Sequence, residues 1–288
     1  MFQVRSKSIH RGRRRAGGCD DGRMQRSVAA HIEATLDTPD ADLVLAVAVA
    51  AGPSRIESLT ITANGAAAYA EEVAAPHGGR LHLITGLPAG PLTIDYTATI
   101  EGIAEIEQPT DLHRIEYARP SRYCDSDKLM PVAAAEFAGL SGKNLLDAVS
   151  SWVGSRLSYV SGSSKPIDGA VDTYLSRQGV CRDYAHLVIA LLRGLNVPAR
   201  LAAVYAPGLD PMDFHAVAEA YVDGAWWAVD ATTLAPRPTL LRIATGRDAA
   251  DTAFMSTLRG SLTLKALWVS ATADVLPGDD LTMLTALR

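Results

Sequence analysis

The stretch His215-Ala216-Val217-Ala218-Glu219-Ala220-Tyr221-Val222, then Asp223-Gly224, then Ala225-Trp226-Trp227-Ala228-Val229-Asp230-Ala231 decides how this chain is read. Asp-Gly suits a type I′ hairpin turn, whose two central residues both need positive φ. The flanking segments are therefore expected as antiparallel strands. Val222 then faces Ala225 and, counting back, Val217 faces Asp230. Residues two apart share a strand face, so His215 lies on that same face, diagonal to Asp230. The diagonal is ~7–8 Å between backbones, which an imidazole and a carboxylate can bridge with a hydrogen bond. An odd-length loop or a bulge would break this register.

Upstream of the hairpin the pattern is helical. Leu145, Ala148, Val149, Trp152, Val153 and Leu157 recur at a helical period, which predicts a helix over 142–160 ended by Ser161-Gly162-Ser163-Ser164-Lys165-Pro166. A short helix is expected at 170–177. After a break at Gly179, a third helix is expected at 181–193, with Gly194 as its C-cap. Strands follow at 199–205 and in the hairpin. Beyond Pro236 come a loop or short helical stretch around Gly246-Arg247-Asp248, a strand at 262–270 and a weaker one at 274–276.

The first part of the chain alternates at period two. Val28, Ala30, Ile32, Ala34 and Leu36 form one parity, Leu92, Ile94, Tyr96, Ala98 and Ile100 another, and Leu59 and Ile61 precede Asn64-Gly65. Leu43 to Val49 is a wholly apolar strand-like run. These segments predict a small all-β sandwich over 24–111, before an α+β unit over 112–288. Residues 1–23 carry seven Arg and Lys against two Asp and lack the apolar region of a secretory signal, so they are read as a disordered basic leader.

Composition excludes several classes. With 48% hydrophobic and 20% charged residues, the 288-residue chain is far from a disordered one. Its longest apolar run, Leu43 to Ala51, is well short of the ~20 residues of a membrane span. A net charge of −5 argues against a nucleic-acid partner. Cys19, Cys124 and Cys181 cannot form a disulfide framework, which fits a reducing, cytoplasmic setting.

Cys181 opens a predicted helix, where free N–H groups and the macrodipole favour a thiolate and the cysteine amide can donate to an oxyanion. Gly179 is expected to let the backbone approach a substrate. The plain alternative for Cys181 is a small buried hydrophobe. With His215 as base and Asp230 as its orienting group, it makes a candidate Cys181, His215, Asp230 triad. Taken singly, His215 would be a surface strand residue and Asp230 a turn cap. Metal ligation is the competing use of these residue types. No CxxC or HExxH occurs, and His186 lies ~140° around the helix from Cys181, so no metal is expected and His186 reads as a core histidine. Arg182 and Asp183 are assigned to helix-start stabilisation. Trp226, Arg200 and Tyr205 are candidate cleft walls, Trp227 points to the opposite face from Trp226, and Cys124 reads as structural.

The segments Gly179-Val180-Cys181-Arg182-Asp183-Tyr184-Ala185-His186-Leu187, Asp213-Phe214-His215-Ala216 with Glu219 and Tyr221, and Trp227 with Val229-Asp230-Ala231-Thr232 resemble the bacterial transglutaminase-like cysteine peptidases. Residues 245–251 resemble the loop that follows the triad in that family. The resemblance covers about 120–250. It implies a papain-like core with helices packed on an antiparallel sheet, Cys181 as nucleophile, His215 as general base and acid, Asp230 as orienting group, and a thioester intermediate without a cofactor. The implied substrate is a peptide or protein amide. Hydrolysis, amine transfer and deamidation share this chemistry, and a weakly active or inactive peptide-binding module is the alternative. The second oxyanion donor is unassigned, with Gln178 the one candidate.

Overall fold

Period-two alternation from Val28 onward builds the first layer. The computed structural model describes residues 24–288; the expected leader, 1–23 with Cys19, lies outside the described residues. Seven strands come first: β1 (Gln25–Leu36), β2 (Ala41–Leu45), β3 (Ser54–Ala63), β4 (Ala66–Ala67), β5 (Glu71–Ala74), β6 (Arg80–Leu87) and β7 (Gly90–Glu101). Helices and strands then mix: α1 (Asp111–Glu116), α2 (Ser126–Glu136), α3 (Gly142–Arg156), β8 (Ser158–Tyr159), α4 (Ala170–Ser176), β9 (Gln178–Gly179) and α5 (Cys181–Gly194). The chain continues through β10 (Ala199–Tyr205), β11 (Phe214–Val222), β12 (Ala225–Val229), β13 (Leu241–Gly246), α6 (Ala249–Thr252), β14 (Met255–Arg259) and β15 (Leu262–Ala273). The fold is α+β.

The sandwich consists of two sheets, ordered β15-β1-β7-β3-β4 and β14-β2-β6-β5. Ile32 pairs with Ile94 and Ala30 with Tyr96, so both strands turn the same parity inward onto Leu43, Leu45 and Ile84 of the other sheet. The expected boundary at 111/112 put every later residue in the second unit. Instead β14 pairs with β2 and β15 with β1. The reason is the sheet edge: β1 has β7 on one side only, and a strand burying a full apolar face needs a partner on the other. Residues 274–276 form no strand; Asp274 accepts a hydrogen bond from the Gln25 N–H.

The apolar run at 43–49 is only partly strand. β2 ends at Leu45, and Ala46 to Ala50 run on as buried irregular chain. Their backbone groups are satisfied across the molecule. Ala46 N–H donates to Phe254 O (2.9 Å), Val49 N–H to the Tyr96 hydroxyl (3.0 Å) and Ala50 N–H to Arg242 O (2.8 Å), while Val47 O accepts the Tyr205 hydroxyl (2.8 Å). The segment is apolar on all sides because it lies between the sandwich and the second sheet. Tyr205, Leu241 and Ile243 share its core.

The second sheet is ordered β12-β11-β10-β13. β13 was expected as loop or helix, yet it pairs with β10, and Leu241, Ile243 and Ala244 are buried. α5 packs on this sheet and against α2, α3 and α4, and every residue from Asp183 to Gly194 is buried. Leu187, Val188, Ile189, Leu191 and Leu192 each gain about 1.5–3 kcal/mol by leaving water, which fixes the position of the helix start. Gly194 is inside the helix rather than its C-cap. A Cβ there would stand 3.2 Å from Met130 Cα and 3.4 Å from Ala133 Cβ, so the glycine permits close contact with α2.

Candidate functional site

Val180 is extended (φ −113°, ψ −176°) and its carbonyl accepts the N–H of Asp183 (2.9 Å) and Tyr184 (3.1 Å), which starts α5 with Cys181 as its first residue. The Asp183 carboxylate reaches back to accept the Val180 N–H (2.8 Å) and the Ser164 hydroxyl (2.9 Å). This is the acidic half of a capping box. Gly179 serves that contact and not a substrate, because a Cβ at 179 would fall 2.6 Å from Asp183 Cβ. Arg182 donates to the Ser164 hydroxyl and Lys165 O (both 2.6 Å), tying the 161–168 loop to the helix start.

The hairpin register is the expected one. Asp223 (φ 51°) and Gly224 (φ 87°) both have positive φ, Val222 pairs with Ala225, and the ladder runs to Ala218 and Val229, one step short of Asp230. His215 Nε2 and Asp230 Oδ2 are 3.0 Å apart, with both side chains buried. Asp230 Oδ1 accepts the Thr232 N–H (2.8 Å) and hydroxyl (2.6 Å), which leaves Oδ2 to the histidine. Burial opposes charge on His215, but Asp230 and the Cys181 thiol outweigh it and push the imidazole up to about 10. Burial likewise opposes charge on Asp230, yet His215 and Thr232 hold its carboxyl below the usual range. His215 Nδ1 is buried without a hydrogen-bond partner, on the ring edge left to Cys181. Cys181 is partly exposed.

A residue that sequence reasoning missed stands on the other side of the thiol. β8 pairs in parallel with β9, Tyr159 opposite Gly179, which places the Tyr159 side chain beside Cys181. Burial first, then the adjacent sulfur, push the phenol up to about 12. Two-residue parallel strands carry no periodic signal, so only the tyrosine itself could have marked the position. Gln178 is exposed on β9, and its side chain makes no hydrogen bond among the described residues.

Several other expectations resolve. His186 is fully buried, stacks on Tyr123 (5.4 Å) and accepts the Ala249 N–H at Nε2 (3.1 Å); burial pushes it down to about 3. Trp226, Arg200 and Tyr205 do not wall the cleft. Trp226 does share the His215 face, but at the turn end of the hairpin, buried over the Arg200 guanidinium (4.1 Å). Arg200 pairs with Glu219 (2.9 Å) and Glu107 (2.7 Å), and Tyr205 lies in the sandwich core. Trp227 is half-buried and donates to Val222 O. The Cys124 thiol is buried and pushed up to about 12 by desolvation, which makes it unreactive.

Two cavities flank the site. One of about 160 Å³ contains both Cys181 and His215. Another of about 570 Å³ touches Tyr159, Tyr184 and Asp230 but neither Cys181 nor His215. Away from both, His77, Glu107 and His113 bring three metal-capable donors within 4.8 Å of one another. Arg200 lies against His77 (3.0 Å) and Glu107 (2.7 Å), and the Tyr117 hydroxyl bonds His77 Nε2 (2.6 Å). A guanidinium thus already supplies the positive charge there, and the group works as an ion-pair cluster joining β10 to the segment before α1.

Known proteins carry the same architecture. The family model for the transglutaminase-like superfamily matches residues 136–231, the span that holds Cys181, His215 and Asp230. An uncharacterized protein of Mycobacterium leprae (strain TN) is 30% identical over 115 residues, 37% of this chain, and the match spans 41% of that protein's length. The crystal structure of "a Putative Cysteine Protease from Cytophaga hutchinsonii" is 34% identical and superposes with a TM-score of 0.79, covering 89% of this chain and 92% of that one. That coverage takes in the sandwich as well as the helix–sheet core, and with it the chain belongs to the transglutaminase-like superfamily.

Proposed function

We propose that this chain is a thiol-dependent hydrolase or acyltransferase of peptide or side-chain amides, foremost a cysteine peptidase. Cys181, His215 and Asp230 are its catalytic residues. The observation that carries the reading is the histidine held by Asp230 at Nε2 with Nδ1 left free beside a helix-start cysteine. The match to the transglutaminase-like family model and the likeness to the solved "Putative Cysteine Protease" support it.

In this scheme the thiol proton passes to His215 Nδ1 while Asp230 stabilises the imidazolium through Nε2–H. The sulfur attacks the amide carbonyl, and the carbonyl π pair moves onto oxygen, which faces the Cys181 N–H at the positive end of α5. Tyr159, whose side chain adjoins Cys181, turns its hydroxyl toward the oxyanion as second donor. His215 then protonates the leaving nitrogen, the C–N bond breaks, and a thioester remains on Cys181. Water or a primary amine attacks the thioester, His215 takes its proton, and the thiol is restored. The chain needs no cofactor in this scheme. The two cysteines among the described residues are unpaired, which supports a reducing, cytoplasmic setting, and the acidic balance supports a peptide or protein partner over nucleic acid or membrane.

Intact-mass analysis after iodoacetamide at pH 6, where an ordinary thiol is almost wholly protonated, tests the nucleophile. Selective labelling of Cys181, slowed by His215→Ala, is expected; no selectivity overturns the reading. A glutamine peptide library, with and without a primary amine, separates hydrolysis from transfer. A second reading, a weakly active or inactive peptide-binding module, draws on the Tyr159 phenol standing beside Cys181.

A further inference from the structure

The cavity that contains Cys181 and His215 is apolar in almost all the rest of its lining. Ala203 on β10, Phe214 and Ala216 on β11, Ile243 on β13, Phe254 after α6 and Ala46 at the end of β2 form its wall. Beside Cys181 and His215, its polar side chains are Thr252 and Arg182; Arg182 Nη2 is engaged by Ser164 and Lys165, while its Nε is buried without a partner among the described residues. The wall is braced. Phe214 and Phe254 stack at 5.4 Å with their planes 24° apart, and Phe254 O accepts the Ala46 N–H from the sandwich side (2.9 Å). Three alanines, at 46, 203 and 216, make the room. At about 160 Å³ it is close to the ~150 Å³ at which an apolar protein cavity takes up a benzene ring.

We infer that this cavity is a specificity subsite that receives one uncharged apolar side chain, up to leucyl or phenyl size, from the residue beside the amide under attack. The inference rests on the reading of Cys181 as nucleophile. A charged or carboxamide side chain entering it would be stripped of most of its water, with only Thr252 and Arg182 in the lining to replace the lost hydrogen bonds. The larger cleft, with Asp147, Ser150, Thr232 and Arg237 in its lining, lacks both reacting residues and is a poorer candidate for the residue next to the scissile bond. The sandwich is thereby part of the substrate site, because Ala46 closes one side of the pocket and its N–H fixes Phe254.

The test uses the full chain and three alkylating probes: iodoacetamide, N-(2-hydroxyethyl)iodoacetamide and N-phenethyliodoacetamide. In each, the sulfur forms a C–S bond, the C–I bond breaks and iodide leaves. Cys181 labelling rates are divided by the rates with free glutathione, to remove intrinsic reactivity. In the wild type the phenethyl probe is expected to saturate and to label at least about 10-fold faster than the hydroxyethyl probe, the gain due to burying one such side chain. Ala203→Phe, which fills the pocket, should abolish this preference, read as the ratio of the phenethyl to the hydroxyethyl rate in the same variant. Phe254→Ala, which widens it, should move the preference to a naphthylethyl probe and carries the test if the first variant does not fold. Equal normalised rates in the wild type, with selective iodoacetamide labelling intact, overturn the subsite and leave the nucleophile standing. Absence of selective labelling by iodoacetamide overturns the nucleophile, and the subsite falls with it.

Discussion

Replacing Gly179 with alanine tests how the helix start is held. Gly179 has no positive φ, so backbone freedom is not what the position demands. The obstacle is Asp183: the new Cβ would lie 2.6 Å from its Cβ and 2.8 Å from Oδ2, and a Cβ cannot swing aside as a side-chain tip can. The first turn of α5 must shift, and Asp183 loses its bonds to the Val180 N–H and the Ser164 hydroxyl. Loss of the cap costs ~0.5–2 kcal/mol. A buried polar group left without a partner costs a further ~1–3 kcal/mol. The lower unfolded-state entropy of alanine returns ~0.4–1 kcal/mol. A net destabilisation of about 2–3 kcal/mol is expected in urea unfolding followed by tryptophan fluorescence, with slower Cys181 alkylation. Asp183→Gly removes the clashing Cβ, so in that background Gly179→Ala should cost little, and the double-mutant cycle should report strong coupling. A loss below ~0.5 kcal/mol in the single variant, the range of an ordinary surface change, would refute the reasoning.

Glu219 is buried with Arg242 on both its oxygens (2.7 Å each) and Arg200 Nε (2.9 Å), so Glu219→Ala strands guanidinium charge inside the protein. A loss of about 3–5 kcal/mol in urea unfolding is expected, and a change under ~1 kcal/mol would contradict the account. Tyr159→Phe should lower turnover of the best library peptide by ~10²-fold if the phenol donates to the oxyanion. An unchanged or higher rate removes that role and supports the peptide-binding reading. His215 titrates near 10 folded against an ordinary 6.5, so its pairing stabilises the fold fully below 6.5 and loses that contribution as pH rises through about 10. The urea-midpoint gap between wild type and His215→Gln should therefore narrow from pH 6.5 to 10, and a constant gap would argue against the buried ion pair.

Local patterns were readable where each residue's neighbours are close in sequence. The Asp223-Gly224 turn fixes its own register through φ, and the α3 and α5 periodicities follow from faces buried along one helix. What escaped depends on distant partners. β14 and β15 look like the end of the second unit until β1 and β2 are seen to lack neighbours. β13 carries Arg242, Thr245 and Gly246, which read as loop but sit in a strand because Glu219 binds the arginine and Asp251 packs against the glycine. α2 contains Pro131, which weakens any helical signal, and holds its place by packing on α5. At the site, Cys181, His215 and Asp230 announce themselves by type and position. Tyr159 does not, because its value comes wholly from a short parallel pairing.

The pairing of Arg26 with Ala273 joins positions nearly 250 residues apart. On a ribosome adding ~5–20 residues per second, the first strand waits roughly 12–50 s for the last to emerge. Once β7 has paired with β1, the nascent chain still shows the unpaired outer edge of β1, a template for association with its neighbours. Yield in a cell should therefore depend on the pace of synthesis and on chaperones that shelter this edge. Stop codons between 254 and 262 should give insoluble product even though every residue of the candidate triad has already been made.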